Sequence, residues 1–403
     1  MKIQRCKGTR DLSPEEMAVF RLIEGVFRDC CLKWGYQEVR TPTLEYLHLF
    51  TATGTLTPSR LGKVYSFLDW DGWSGERVVL RPDGTIPVAR LYIDSMEGKK
   101  LARLFYATNI FIFEETGKEN RERWQLGAEL IGVSSPRADA ELVMLALEVL
   151  KRLKLDGIEL KLSHAGLIRA LLAKLELSPD EQVRLFDRIL DGDAEALAKL
   201  KPERAELEKI LSLLNLKGKL SDLQLTPDSP ELKGGIEDFV NVARLLETLG
   251  CDYQIDIASG RGFEYYTGII FQLFQKGEKI GGGGRYDALI PLMGGRDTPA
   301  SGFALYLDHL MNRVKPEALP SGQRILIRAE AEAVKEGFST ARRLREAGYT
   351  AELELGAQKE ADFKWRLEVK SKPPLFILTD RAKRQKFEAK TINQVLAALR
   401  EKG

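Results

Sequence analysis

The sequence predicts an α+β protein: an antiparallel sheet with flanking helices, a helical insertion, and a small C-terminal α/β domain. Three observations predict it. Up to about residue 320, most strand signals come in hairpin pairs, with helices clustered between them. A Leu/Glu/Lys-rich stretch poor in aromatics, about 166–240, interrupts that pattern and reads as an inserted helical subdomain. After the Pro/Gly-rich "KPEALPSGQ" the chain alternates strand with helix to residue 403. The expected division is therefore 1–320 and 321–403.

Taken in order, "LSPEEMAVFRLIEGVFRDCCLKWGY" opens with a helix. Ser13 caps it, Pro14 suits the first turn, Glu16 completes a capping box, and Gly35 stops it. Phe20, Ile23, Phe27, Cys30 and Trp34 recur at steps of three and four. "YQEVRTPTLEYLHLF" reads as a strand running into Pro42, then a short helix. "KVYSFLD" and "RVVLRPD" form a hairpin across "WDGWSGE", and "RLFYATNIFIFEE" pairs with "RERWQLGAELIGV". "ADAELVMLALEVLKRL" is a helix and "IELKLSH" a strand. Strands return with "DYQIDIA" and "YYTGIIFQLF", followed by the glycine stretch and a helix over "FALYLDHLMNRV". In the last domain, strands "RILIRA", "TAELEL" and "PLFILTD" alternate with helices at "AVKEGFSTARRLREAGY", near "KEADFKWRLEV" and at "INQVLAALREK". That order predicts a parallel sheet.

The chain is 44% hydrophobic and 30% charged with a net charge of +2, an ordinary globular balance. The N-terminal segment has no apolar run of signal-peptide or anchor length, so a cytoplasmic protein with no membrane contact is expected. Four cysteines form no C-x-x-C pair, and His48, His164 and His309 are far apart, so no metal site is expected. From Gly322 onward 18 Lys and Arg face 12 Asp and Glu, leaving the rest of the chain near −4. That basic end fits either a solvated surface or a nucleic-acid face.

"IGGGGRYDALIPLMGG" matches neither a Walker A loop nor a dinucleotide fingerprint. On its own it fits either a close approach to a ligand or a tight crossing of backbones. The ordered segments say more. "KGTRDLSPEE", "GYQEVRTPTLE", "LRPDGTIPVARLY", "RWQLGAELIG", "RGFEYYTG" and "GGGGRYD…PASGFALYLDHL" closely resemble histidyl-tRNA synthetase, a class II aminoacyl-tRNA synthetase, from Gly8 to about Arg313. The resemblance implies a class II catalytic fold, a dimer formed around the Pro42 motif, and an anticodon-binding-like C-terminal domain. That domain is shortened here and lacks the usual final strand.

An amino-acid pocket needs a carboxylate for the ammonium, a cation for the carboxylate and polar groups around the side chain. The resemblance assigns Asp83, Thr85 and Gln125 to the ammonium. It places Glu129, Tyr266 and Tyr286 around an imidazole, with Tyr265 beside them, and Arg261 at the carboxylate. Gly282 and Gly283 let the backbone come close. Asp83 stands where the synthetases usually carry Glu, which shortens the reach to the ammonium.

The ATP half departs from the family. Ile112 occupies the place of the arginine that grips the α-phosphate, in "FIFE". In "GFALYLDHL", Tyr306 replaces a small glycine and His309 the second arginine. Isoleucine cannot neutralise a phosphate, and a neutral imidazole lacks the guanidinium fork. Each loss removes roughly 10²–10³-fold of rate, so no catalytic residues and no aminoacylation are expected. Arg121 and Arg123 are the nearby cations that could substitute.

A chain with an intact amino-acid half and a broken ATP half resembles the regulatory subunits of ATP phosphoribosyltransferase. That resemblance implies a non-catalytic partner of a short-form catalytic subunit in a hetero-octamer, acting in the first step of histidine biosynthesis. L-histidine would be its feedback ligand, with no cofactor and no tRNA. Two rival readings are an active histidyl-tRNA synthetase, which histidine-dependent ATP–pyrophosphate exchange would reveal, and a histidine-sensing or RNA-binding paralogue, which a salt-dependent tRNA shift would reveal. The basic "RAKRQK" is either a solvated loop or a remnant tRNA face.

Overall fold

A computed structural model describes residues 4–56, 61–69, 75–113, 121–173, 217–219, 230–257, 265–314, 324–356, 363–381 and 383–402, with residues 178, 181 and 185. Two compact units emerge, Met1–Pro316 and Glu317–Gly403.

The first unit opens with α1 (Pro14–Lys33), with the capping box in place: Ser13 Oγ accepts from Glu16 N, and Glu16 Oε2 accepts from Ser13 N at 2.7 Å. Short strands β1 (Gln37–Glu38) and β2 (Leu44–Tyr46) lead into α2 (Leu47–Ala52). The hairpin β3 (Ser66–Leu68) and β4 (Arg77–Leu80) joins β2 in a small sheet of order β2-β4-β3. Next come α3 (Thr85–Met96), the long hairpin β5 (Ala102–Phe111) and β6 (Glu122–Ile131), α4 (Pro136–Arg152) and β7 (Ile158–His164).

Of the insertion, the described parts are α5 (Ala165–Ala173), the strand β8 (Lys217–Gly218) and α6 (Pro230–Thr248). The segment is thus not wholly helical: β8 pairs with β9 (Gln254–Asp256) at the edge of the main sheet. β10 (Ile269–Gln275), β11 (Glu278–Arg285), α7 (Leu289–Leu292), β12 (Ala300–Tyr306) and α8 (Leu307–Met311) complete the unit.

Nine strands form the main sheet in the order β1-β5-β6-β12-β11-β10-β7-β9-β8. The pairings β1·β5 and β7·β9 are parallel and the rest antiparallel. Phe27 of α1 lies edge-on to Phe105 and Phe303, burying the inner face of that helix against the sheet. The expected helix over "FALYLDHLMNRV" begins late. Ala300–Tyr306 is a strand because the glycine strand β11 needs a second neighbour, and pairing with Ser301–Leu305 supplies it. Only Leu307–Met311 is helical.

Arg81, at the end of β4, ties the Pro42 segment to the main sheet. Its guanidinium is buried and donates to Thr41 O (2.9 Å), Pro42 O (2.8 Å), Asn109 O (2.8 Å) and Asn109 Oδ1 (2.8 Å). Cys30 and Cys31 are buried free thiols of the α1 core.

The second unit contains β13 (Arg324–Ala329), α9 (Val334–Glu346), β14 (Thr350–Leu353), β15 (Trp365–Val369), β16 (Phe376–Asp380), β17 (Gln385–Ala389) and α10 (Ile392–Lys402). Three expectations are corrected here. The sheet, β14-β13-β15-β16-β17, is mixed, with β15·β16 and β16·β17 antiparallel. Trp365–Val369 is a strand, not a helix, because Trp365, Leu367 and Val369 are buried at a period of two. Gln385 and Lys386 of "RAKRQK", read as a solvated loop or a remnant tRNA face, belong to the strand β17.

Candidate functional site

Three strands of the main sheet make a floor. Across β6 and β12, Glu129 faces Gly302, Gly127 faces Ala304, and Gln125 faces Tyr306. Across β12 and β11, Gly302 faces Gly284 and Ala304 faces Gly282. Alternate residues share a face, so these positions form successive rows. The pocket above them is lined by Asp83, Thr85, Gln125, Tyr265, Tyr266, Gly282, Gly283, Tyr286 and Tyr306, among others.

The glycines are there because nothing larger fits. A Cβ on Gly302 would strike the Glu129 carboxylate, and one on Gly283 would strike the Gly302 carbonyl and Phe303. The glycine run is therefore a packed strand and not a loop, and it serves both readings left open by the sequence: a tight backbone crossing that is also the pocket floor.

Asp83 sits just before α3. Its Oδ2 accepts from Ile86 N at 3.1 Å, while Oδ1 is buried with no hydrogen-bond partner. Burial outweighs the nearby backbone N–H groups and pushes the carboxyl up to about 6. An orphaned carboxylate oxygen facing a pocket is a receptor for a cation or a donor.

Glu129 lies beneath the pocket, fully buried. Its Oε1 accepts from Thr85 Oγ1 (2.9 Å) and Tyr106 OH (3.2 Å), and its Oε2 from Tyr286 OH. Burial drives its pKa up to about 8 in spite of these three hydroxyls, and the Asp83 charge adds to the rise. At neutral pH the two carboxyls thus divide their roles, with Asp83 charged and Glu129 holding a proton. Such a pair offers one anionic contact and one neutral donor–acceptor, a match for an ammonium and an imidazole on one ligand.

Gln125 Oε1 accepts from Gly84 N at 3.2 Å, which fixes its amide beside Asp83. Tyr265 meets Tyr266 and Tyr286 edge-on, with centroids 5.2 and 5.5 Å apart. Burial keeps all three phenols neutral. Arg261 lies outside the described residues.

Two residues went unmarked in the sequence. Tyr106 fills the space above Gly84 and Gly127 and delivers its hydroxyl to Glu129. Only the β5–β6 register, which sets Tyr106 opposite Gly127, reveals it. Lys279 lines the pocket as well. By simple alternation from Gly282 it would point away. The register shift opposite Leu273 and Phe274 inserts one extra residue in β11 and turns Lys279 back to the pocket face.

The positions corresponding to an ATP site are arranged differently. Ile112 follows β5, its N–H donating to Arg121 O at 3.0 Å, and it is not among the residues lining the pocket. Tyr306 lines one end of the pocket, and the His309 ring lies 5.8 Å from its centroid. Burial, then Arg123 and Arg313, holds His309 below its usual range and so neutral. Arg121 lies 4.4 Å over the Phe113 ring. Among the described residues no cluster of three or more His, Cys, Asp or Glu could hold a metal, and no helix is long and apolar enough to cross a membrane.

The sequence profile of histidyl-tRNA synthetase matches residues 8–310. An ATP phosphoribosyltransferase regulatory subunit of Dehalococcoides mccartyi is 51% identical over 98% of both chains. The histidine–tRNA ligase of Methanosarcina acetivorans is 34% identical over 86% of this chain and 83% of that one. Among solved structures, an ATP phosphoribosyltransferase regulatory subunit/histidyl-tRNA synthetase from Bacillus halodurans superposes with a TM-score of 0.78 at 25% identity, covering 92% of this chain and 99% of that one. Apo histidyl-tRNA synthetase of S. aureus gives 0.71 at 22% identity over 99% of each chain, a likeness of fold. With the class II fold in place and half its residues shared over nearly the whole length, the chain belongs to the ATP phosphoribosyltransferase regulatory subunits of the histidyl-tRNA synthetase family.

Proposed function

We propose that this protein has no reaction of its own and is required by a short-form ATP phosphoribosyltransferase catalytic subunit, whose activity it places under feedback control by L-histidine. The observation that carries the reading is the contrast within one sheet. The orphaned oxygen of Asp83 and the hydroxyl cage of the buried Glu129 suit an amino acid, while Ile112, Tyr306 and a neutral His309 stand where ATP would need cations and space. Binding is thus separated from ATP chemistry. Histidine in this pocket would favour one arrangement of the complex over another, and a coupling of about 1–3 kcal/mol suffices for feedback.

The partner assembly is proposed as a hetero-octamer in the cytoplasm, built on a dimer of this chain. An apolar face supports the dimer. Leu44, Tyr46 and Phe67 of the β2-β4-β3 sheet lie about half exposed on one side, while Glu45 on the other is buried and paired with Arg90. No cofactor and no tRNA enter this scheme.

The test is phosphoribosyl-ATP formation by a short-form catalytic subunit from the same source, with and without this protein, across a histidine titration. Stimulation by the protein and inhibition by histidine are expected. No stimulation would sink the proposal. Histidine-dependent ATP–pyrophosphate exchange should be absent, and its detection would instead identify a working synthetase.

A further inference from the structure

The floor changes character from row to row. Glu129, Gly302 and Gly284 make the first row, and Gly127, Ala304 and Gly282 the second. In these rows β11 and β12 raise nothing larger than a methyl group. The third raises two large side chains: Tyr306, opposite Gln125, and Lys279, turned inward by the bulge. Asp83 stands beside this third row, because Gly84, its neighbour, bonds Gln125. An amino acid with its ammonium at Asp83 and its ring towards Glu129 therefore has its α-carbon at the third row. Its carboxyl group then meets Lys279 and Tyr306.

A lysine beside a phenol wall favours a compact anion. An amide loses the charge that Lys279 attracts, and any larger carboxyl substituent collides with Tyr306, whose ring is backed by His309. We propose that Tyr306 and Lys279 are specificity-determining residues that restrict the pocket to amino acids with a free carboxylate and exclude carboxyl-substituted ones. This rests on the histidine-pocket reading above and adds to it a limit on ligand length and charge. It also assigns Tyr306 a positive task beyond the loss of an ATP site.

The test is calorimetric titration of the full chain with L-histidine, L-histidinamide and L-histidine β-naphthylamide. The wild type should prefer histidine to histidinamide by about 10-fold or more and should not bind the naphthylamide. Lys279→Gln should lower the preference for histidine over the amide. Tyr306→Gly should gain about 10-fold or more for the naphthylamide relative to histidine. If Tyr306→Gly does not fold, the wild-type ranking and Tyr306→Ala carry the same test. Wild type that takes the naphthylamide as readily as histidine, or Lys279→Gln that keeps its full preference, would overturn the proposal. Wild type that binds none of the three ligands would overturn the pocket reading itself, and the proposal with it.

Discussion

Asp83 and Glu129 carry opposite consequences for pH. Asp83 has its carboxyl raised to about 6, and a bound ammonium would pull it down again. Histidine affinity should therefore climb as pH rises towards 6, with a slope approaching tenfold per unit at the acid end. The difference between the wild-type and Asp83→Asn titration profiles isolates this, since it cancels the ligand's own imidazole. Asp83→Asn should be flat in that comparison and weaker by about 10–100-fold. Glu129 acts on stability. Its folded pKa of about 8 exceeds the ordinary 4.5, so between those values the native state holds a proton that the unfolded chain has lost. The contribution of Glu129 to unliganded stability is then greatest at the acid end and is lost as pH rises from about 4.5 to 8. Glu129→Gln should flatten the decline, a change of more than about 1 kcal/mol across the window, read by urea denaturation at a series of pH values. Wild-type and Glu129→Gln curves whose difference does not change with pH across that window would contradict the assignment.

At the level of strands and helices, the pocket depends on how closely β11 and β12 approach. Gly302→Ala should displace the Glu129 carboxylate and weaken histidine binding by about 100-fold or more, with binding measured calorimetrically. Arg81→Ala should destabilise the fold by about 2–4 kcal/mol, because it leaves buried carbonyls of Thr41, Pro42 and Asn109 without donors. Much of this layer was legible in the sequence. The capping box of α1 and both hairpins could be read from local pattern, and the resemblance pointed to Asp83, Thr85, Gln125, Tyr265, Tyr266 and Tyr286, which line one pocket. What could not be read depended on pairing between distant strands. "ASGFALY" looks helical until β11 claims it as a neighbour, and "WRLEV" shows its alternation only once its buried side is known. Lys279 was hidden by a single extra residue in β11, and Tyr106 by a register that no local window contains.

For the molecule as a whole, the apolar face of Leu44, Tyr46 and Phe67 predicts self-association. Tyr46→Glu, which places a charge at its centre, should shift the protein from dimer to monomer in light scattering, while a monomeric wild type would remove the basis for that expectation. Composition gave the size and class of the chain, and the linker region divided it near the observed boundary after Pro316. The mixed C-terminal sheet was not legible, because strand direction follows from connections that sequence periodicity does not record. The glycine floor bears on the protein's specificity as well. A surface made of backbone offers no side chain to exchange, and at Gly283, Gly284 and Gly302 any added Cβ runs into a neighbour. Variation can reshape what this site accepts only through its walls, at positions such as 83, 279 and 306, so its specificity is open to change at the rim and closed at the base.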